Sequence, residues 1–348
     1  MKNLLTVLKY SLLLGASAFL MWYALKELDF EKLWAELQSA KYGWVILSLV
    51  LGIAAYVSRA YRWQMQIKPT GITPSLLNTY NAMMVGYVAN LVLPRMGEVV
   101  RCSILKKTDN LPVNTGFGTV IAERFIDMVM LLLITGLTFL VEFNRIRDFF
   151  FGLFSDKYSS ISQSLNSFYY LGAVLFALLI VGVILIVVFL NRLRSNRFYK
   201  KVVGFVQGML QGIFSISKIE NKFSFWAHTV FVWAMYYGMS QVVFYALPAT
   251  QSLPLGAGLS VLVAGSLGMA APVQGGIGVY HLVVQATLLL YGVPKEEAMA
   301  YALLAHTSQT LLVVIMGVFS FMISMLQQKK NSAALNYQNH ASAHELKR

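Results

Sequence analysis

The sequence predicts an all-α integral membrane protein, a polytopic helical bundle organised as an inverted repeat with two re-entrant helical hairpins. Three observations carry this expectation. The 348 residues are 57% hydrophobic and 12% charged, where a soluble domain carries about 25% charged residues, and the mean hydropathy is +0.62. Apolar stretches of bilayer-spanning length, about 20 residues, recur along the chain. Two further apolar stretches are interrupted by Pro and Gly at corresponding places. The formal charge of +13 does not point to nucleic acid, which calls for a basic face on a soluble domain. The single cysteine, Cys102, leaves no internal disulfide and suits a cytoplasm-facing position.

The expected elements follow in chain order. Leu4 to Leu25 is a first helix with Lys2 and Lys9 at its basic start. Its Ala16-Ser17-Ala18 triplet resembles a signal-peptidase site, but the apolar run continues to Leu25 and reads as a retained helix. A short amphipathic segment follows, with Phe30, Leu33, Trp34 and Leu37 on one face. Spans are then expected at Trp44 to Trp63, Gly116 to Phe143, Tyr169 to Leu190, Phe223 to Leu247 and Ala298 to Leu326. One broken stretch runs over about 74–104 with Pro94 and Gly97 inside it. The other runs over about 254–291, interrupted by Ala271-Pro272-Val273-Gln274-Gly275-Gly276. Residues 1–327 form one transmembrane domain, with repeat 1 over about 1–143 and repeat 2 over about 169–327. Residues 328–348 read as a disordered cytoplasmic tail.

Charge orients these elements. Residues 59–68 carry a net +3, 95–110 a net +2 and 192–222 a net +6, while 26–41 carry −1. Lys and Arg accumulate on the cytoplasmic side, so the first three belong inside and 26–41 outside, with both termini in the cytoplasm of a cell membrane. A stretch that begins and ends on one side must turn back within the bilayer. Irregular backbone at membrane depth is tolerated only where protein or a water-filled cavity surrounds it. The first hairpin enters from inside and the second from outside. Phe198, Val202, Phe205, Met209, Ile213 and Ile216 form the amphipathic face that corresponds, in the second half, to the segment at 30–37. Inverted halves with matching Pro/Gly-interrupted segments point to a transporter with its site near the midplane.

The candidate site residues are the charges within these segments. Glu123 and Asp127 lie four apart on one helical face, and Arg124 lies three from Asp127, within pairing reach. Asp127 sits roughly 16 Å into its span at a rise of about 1.5 Å per residue. Charges at that depth pair with one another or face a polar pathway. Arg59, Arg62, Arg95 and Arg101 are expected to converge when the hairpin folds back, and the planar guanidinium fork suits a lipid phosphate. Structural ion pairing and snorkelling anchors are the competing readings. Pro94 and Gly97 break the first hairpin, and Glu98 balances charge there. At the second, Pro272 leads into Gln274-Gly275-Gly276-Ile277-Gly278, whose free N–H groups precede a helix start. His281 and His306 lack carboxylate or cysteine neighbours at metal-ligand spacing, so no metal site is expected. No catalytic residue and no cofactor is assigned.

Leu93-Pro94-Arg95-Met96-Gly97-Glu98 with Arg101, Glu123-Arg124 with Asp127, and Pro272 with Gly275-Gly276-Ile277-Gly278 together resemble the signatures of the flippase-like membrane region of lysylphosphatidylglycerol synthases. That family includes single-domain members and archaeal relatives linked to dolichol-dependent glycosylation. The resemblance covers roughly residues 5–326 and implies translocation of an anionic or isoprenoid-linked lipid head group. In the two-domain synthases a separate soluble domain transfers lysine. Here the longest polar loop, about 142–167, is too short for such a fold. His281 and His306 stand near places where the family often carries an acid and an Arg, which leaves head-group identity and proton coupling open. The sequence therefore reads as a transporter rather than an enzyme, with a membrane lipid as its partner, a head-group synthase and a homodimer as allowed partners, and no nucleic acid. A membrane transferase using Glu98, Glu123 or Asp127 as base, or an accessory subunit of one, is the alternative.

Overall fold

A computed structural model of the protein describes residues 2–145 and 197–345. Among these every regular element is helical, as expected for an all-α membrane protein. Before residue 146 come α1 (Lys2–Leu25), α2 (Phe30–Ser39), α3 (Tyr42–Ile67), α4 (Leu76–Val92), α5 (Gly97–Asp109) and α6 (Val113–Val141). After residue 196 come α7 (Arg197–Phe214), α8 (Lys222–Phe244), α9 (Leu255–Ala270), α10 (Val279–Leu289) and α11 (Lys295–Glu345). The expected span at Tyr169 to Leu190 lies outside the described residues. The chain divides into two compact units, 1–138 with 209–348, and 139–208. In the second, Phe139 and Phe143 meet edge-on at 5.4 Å and Arg145 pairs with Glu142 at 3.0 Å. All that follows concerns the first unit.

Local chemistry sets the helix ends. Asp29 caps α2 by accepting from the N–H groups of Glu31 (3.0 Å) and Lys32 (3.2 Å), and the Lys32 N–H holds its carboxyl below the usual value. Ser75 caps α4 through the Asn78 N–H at 3.0 Å. Asn110, in the left-handed region at φ 59°, ends α5 behind Lys106 and Lys107. Pro294 precedes α11, whose first turn carries Glu296 and Glu297.

The burial pattern is that of a membrane protein. Three segments, Tyr42–Thr70, Val113–Val141 and Lys295–Gln328, are long and apolar enough to cross a bilayer. Leu132, Leu133 and Leu326 are 63–69% exposed, whereas Arg62 and Glu123 are at 0%. Water as solvent would favour the reverse. Against lipid, helices gain little by hiding Leu, and small residues with polar ties specify the contacts instead. Thus Gln309 on α11 donates to the Ser48 carbonyl (3.3 Å) and hydroxyl (3.2 Å) of α3, and Ser48 donates to the Met239 carbonyl of α8 (3.1 Å). α8 packs along α3, and α11 along α4.

Two expectations change. Residues 59–67 continue α3 as helix, and Arg59 and Arg62 are buried. Their charges are paired with carboxylates inside the bundle, so in that segment only Lys68 is left to report orientation. At the other end, α11 stays helical to Glu345, past the point where a disordered tail was expected. No Gly or Pro stands between residues 327 and 345 to stop it.

The broken stretches form two helix–break–helix units, α4 with α5 and α9 with α10, each pair packed arm against arm. In the first, the Met96 N–H closes a turn onto the Leu93 carbonyl (3.1 Å), with Pro94 second and Arg95 third at φ 65°. A residue other than Gly rarely takes that third position. The arms cross where Gly97 meets Gly86; a Cβ on Gly97 would overlap the Gly86 carbonyl oxygen. In the second unit, Gly275, Gly276 and Gly278 all hold positive φ, 56°, 73° and 84°, which only glycine adopts freely.

Candidate functional site

α3, α5 and α6 bring five ionised side chains to one buried point. Arg59 and Arg62 lie on one face of α3, Arg101 on α5, and Glu123 and Asp127 one turn apart on α6. Arg59 Nε donates to Glu123 Oε1 at 2.7 Å and its Nη2 donates to Asp127 Oδ2 at 2.5 Å. Arg62 Nη2 donates to Asp127 Oδ1 at 2.7 Å and more weakly to Glu123 Oε1 at 3.4 Å. Arg101 Nη2 stands 2.7 Å from Glu123 Oε2. That is an ion-pair distance without hydrogen-bond geometry, since Arg101 Nη2 and Glu123 Oε2 both lack a hydrogen-bond partner. Glu123, at 0% side-chain exposure, therefore meets three arginines, and Asp127, at 16%, bridges two.

Three guanidinium groups against two carboxylates leave one positive charge in excess. Arg62 Nε and Nη1 and Arg101 Nε and Nη1 are also buried without hydrogen-bond partners among the described residues. Buried charge is costly unless paired, and each buried donor left unmade costs about 1–3 kcal/mol. Aromatic faces supply part of the compensation. The Arg101 guanidinium lies 4.5 Å from the Trp63 ring centroid and that of Arg59 lies 5.9 Å from Tyr87. Arg59 Nη1 also donates to the Tyr236 hydroxyl at 3.0 Å. Beneath the cluster Trp63, Ile67, Cys102, Leu105, Leu111 and Val120 pack together, and Trp63 Nε1 donates to Thr119 Oγ1 at 3.0 Å. The arginines are thus fixed in place by a rigid floor.

The remaining expected residues fall in two other places. Arg124 does not pair with Asp127, its neighbour along α6; its Nη2 donates to Glu98 Oε1 at 3.0 Å, which ties α6 to the start of α5. Glu98 therefore balances Arg124 rather than the hairpin arginines. Arg95 is not part of the convergence either. It is exposed at the break and makes no ion pair or hydrogen bond among the described residues. Pro94 and Gly97 shape that break.

Pro272, Gln274, Gly275, Gly276 and Gly278 form the second break, which lies against the first. Gln274 Nε2 donates to the Val92 carbonyl at the end of α4 (3.2 Å), and the Gln274 N–H donates to Ser17 Oγ of α1 (3.3 Å). A cleft of about 460 Å³ lies there, lined by Leu14, Leu91, Val92, Leu93 and Gln274. His281 and His306 sit directly behind, with ring centroids 4.8 Å apart. His306 Nε2 donates to the Gly275 carbonyl at 2.8 Å, and His281 Nδ1 accepts from the Gly278 N–H at 3.3 Å. A neutral His281 then carries its proton on Nε2, which is buried without a partner. Both rings are thus set by the backbone of the break.

Sequence reasoning missed Asn90, whose Oδ1 accepts from the Gly97 N–H at 2.7 Å and caps α5 across the break; an Asn shortly before a Pro-Gly interruption was the available signal. It also missed Trp63, Tyr87, Tyr236 and Ser17, for which no local pattern exists. No group of three or more His, Cys, Asp or Glu with metal-binding geometry occurs among the described residues.

These features define a polytopic helical membrane protein with a buried, net-positive ionic cluster and two facing helix breaks. The chain belongs to the family of the lysylphosphatidylglycerol synthase TM region, whose model it matches over residues 9–317; this places it among membrane proteins of lipid metabolism. It is also 32% identical over 95 residues to UPF0104 membrane protein MJ1595 of Methanocaldococcus jannaschii. That match covers 26% of this chain and 28% of the relative's length. No solved structure matches the chain.

Proposed function

We propose that this protein translocates an anionic or isoprenoid-linked lipid head group between the leaflets of the cytoplasmic membrane, with the lipid phosphate held by the Arg59, Arg62 and Arg101 cluster. One observation carries the reading: the cluster has one positive charge in excess and, among the described residues, five guanidinium nitrogens with no hydrogen-bond partner. A phosphate brings an anion to this positive site and several acceptor oxygens at once. In this reading α4–α5 and α9–α10 are re-entrant hairpins of an inverted repeat, approaching from opposite leaflets and meeting at Gln274 and Val92. Both termini lie in the cytoplasm. Arg95 at the first break and the backbone with His281 at the second are the contacts through which a head group passes. The transferase alternative has less support, because Glu123, its best-buried base, is held by three arginines and has no freedom to take a proton.

Reconstitution in liposomes with head-group-labelled phosphatidylglycerol, phosphatidic acid and undecaprenyl phosphate tests the proposal. Wild type should exchange at least one of these between leaflets faster than empty liposomes, and Arg62→Gln and Arg101→Gln should lose that exchange. No exchange above the protein-free rate for any of the three lipids, or exchange that survives both substitutions, refutes it.

A further inference from the structure

We infer that Asp127 is the exchangeable counter-ion of the arginine cluster, standing where the phosphate of an anionic lipid binds and leaving when that phosphate arrives. The inference rests on the phosphate-binding reading above and adds how the site is filled and emptied.

The two carboxylates of the cluster are not equivalent. Glu123 is wholly enclosed and touches all three arginines, so removing it would strand Arg101 and leave Arg59 and Arg62 to Asp127 alone. Asp127 touches two of them, and its side chain alone reaches the edge of the cluster, at 16% exposure against 8% for Arg59, 3% for Arg101 and 0% for Arg62 and Glu123. Its two oxygens span the two guanidinium groups, Oδ2 on Arg59 Nη2 and Oδ1 on Arg62 Nη2. Two non-bridging oxygens of a phosphate diester bridge two arginines in the same way. A phosphate in this place takes over the volume the carboxylate vacates. Its additional oxygens offer acceptors to a cluster in which Arg62 Nε and Nη1 have no hydrogen-bond partner among the described residues.

The surroundings of Asp127 give the displaced carboxylate and the arriving lipid a route. On the Asp127 side of the same helix Arg124 exposes 43% of its side chain and Met128 is 51% exposed, so the cluster opens there toward surface where a head group and its acyl chains can lie. The exchange swaps one anion for another, which keeps the cluster one charge positive throughout and spares the interior a second uncompensated charge. It also limits affinity, because the carboxylate competes for the same donors. A carrier has to release what it binds, and a resident competitor returns the site to its unloaded state.

The test uses the full chain in nanodiscs of phosphatidylcholine, with dihexanoyl phosphatidylglycerol and inorganic phosphate as separate titrants. Asp127→Asn, which removes the competing charge, should bind the short-chain lipid about tenfold more tightly than wild type, the factor for loss of one charge-assisted contact, while leaflet exchange slows. In wild type, labelling of Asp127 by a hydrophobic carbodiimide, read by mass spectrometry of the digested protein, should rise as the lipid saturates the site and not with inorganic phosphate. Labelling that stays flat or falls with lipid, or rises with inorganic phosphate alone, overturns the inference, as does weaker or unchanged binding by Asp127→Asn. The Arg62→Gln and Arg101→Gln variants keep the two claims apart. If both bind the lipid as wild type does, the cluster is not the phosphate site at all; if both lose it while Asp127→Asn behaves as wild type, only the exchange fails.

Discussion

Glu123→Gln isolates the electrostatic core of this protein. The substitution keeps the side chain's size and one acceptor oxygen while removing the charge that faces Arg59 Nε at 2.7 Å, Arg62 Nη2 at 3.4 Å and Arg101 Nη2 at 2.7 Å. Arg59 and Arg62 would then keep Asp127 alone, Arg101 would lose its carboxylate, and the excess charge would rise from one to two. Breaking a buried pair by neutralising one partner costs about 3–5 kcal/mol, because the remaining charge stays buried. Asp127 and the Trp63 and Tyr87 ring faces remain to offset part of that, so we expect the lower half of the range. The readout is thermal unfolding in detergent, followed by tryptophan emission, for Glu123→Gln, Arg101→Gln and the double variant. The double variant restores the original excess of one charge and should be less destabilised than the sum of the singles, with a coupling of about 1–3 kcal/mol. A single variant as stable as wild type, or singles that simply add, would refute the account of Glu123 as the hub of the cluster.

Other substitutions address the breaks and the polar end of the bundle. Arg95→Gly should stabilise the protein by about 1 kcal/mol, because φ 65° is costly for any side chain but not for Gly, while leaflet exchange falls; thermal unfolding and the liposome assay read the two effects. Gly97→Ala should destabilise by about 1–3 kcal/mol or prevent assembly, since its Cβ overlaps the Gly86 carbonyl and the Asn90 cap; yield and melting temperature report it. Glu36, on α2, has an unpartnered buried oxygen facing α11. Burial and the Glu297 carboxylate hold its pKa above the ordinary 4.5. The folded state therefore keeps that proton longer than the unfolded chain, and stability from this group falls as pH rises from 4.5 through the raised value. Glu36→Gln should raise the melting temperature at neutral pH and leave it unchanged well below pH 4.5.

Much of the architecture is legible in the sequence because it rests on covalent geometry and solvent preference. Pro94 and Pro272 cannot continue a helix, and with Gly97 beside the one and Gly275, Gly276 and Gly278 beside the other the structure breaks at those places. Glu123 and Asp127 share a helix face by spacing alone, and both enter the cluster. What could not be read locally was the choice of partner. Arg124, three residues from Asp127, turns instead to Glu98, while Arg59 and Arg62 reach Glu123 and Asp127 across 61 to 68 residues of chain. The charge count assigned those two arginines to the cytoplasmic side because Lys and Arg accumulate there; inside a helix that packs against carboxylates they carry no such information.

By itself, then, the sequence determined that this chain lives in a membrane as helices, where those helices break, and which residues are too costly in lipid to lack a purpose. These follow from hydropathy, periodicity and backbone sterics, which act over a few residues. The tertiary structure alone decided that three arginines meet two acids with a charge left over, that Arg95 stands apart from them, and that Gln274 of the second break bonds Val92 beside the first. Those outcomes depend on how rigid helices seat against one another, through the Gly86 and Gly97 crossing and the Trp63 floor. Such placement is a property of the whole packed bundle, because helices in lipid are positioned by close fit and polar ties rather than by the apolar pattern each carries.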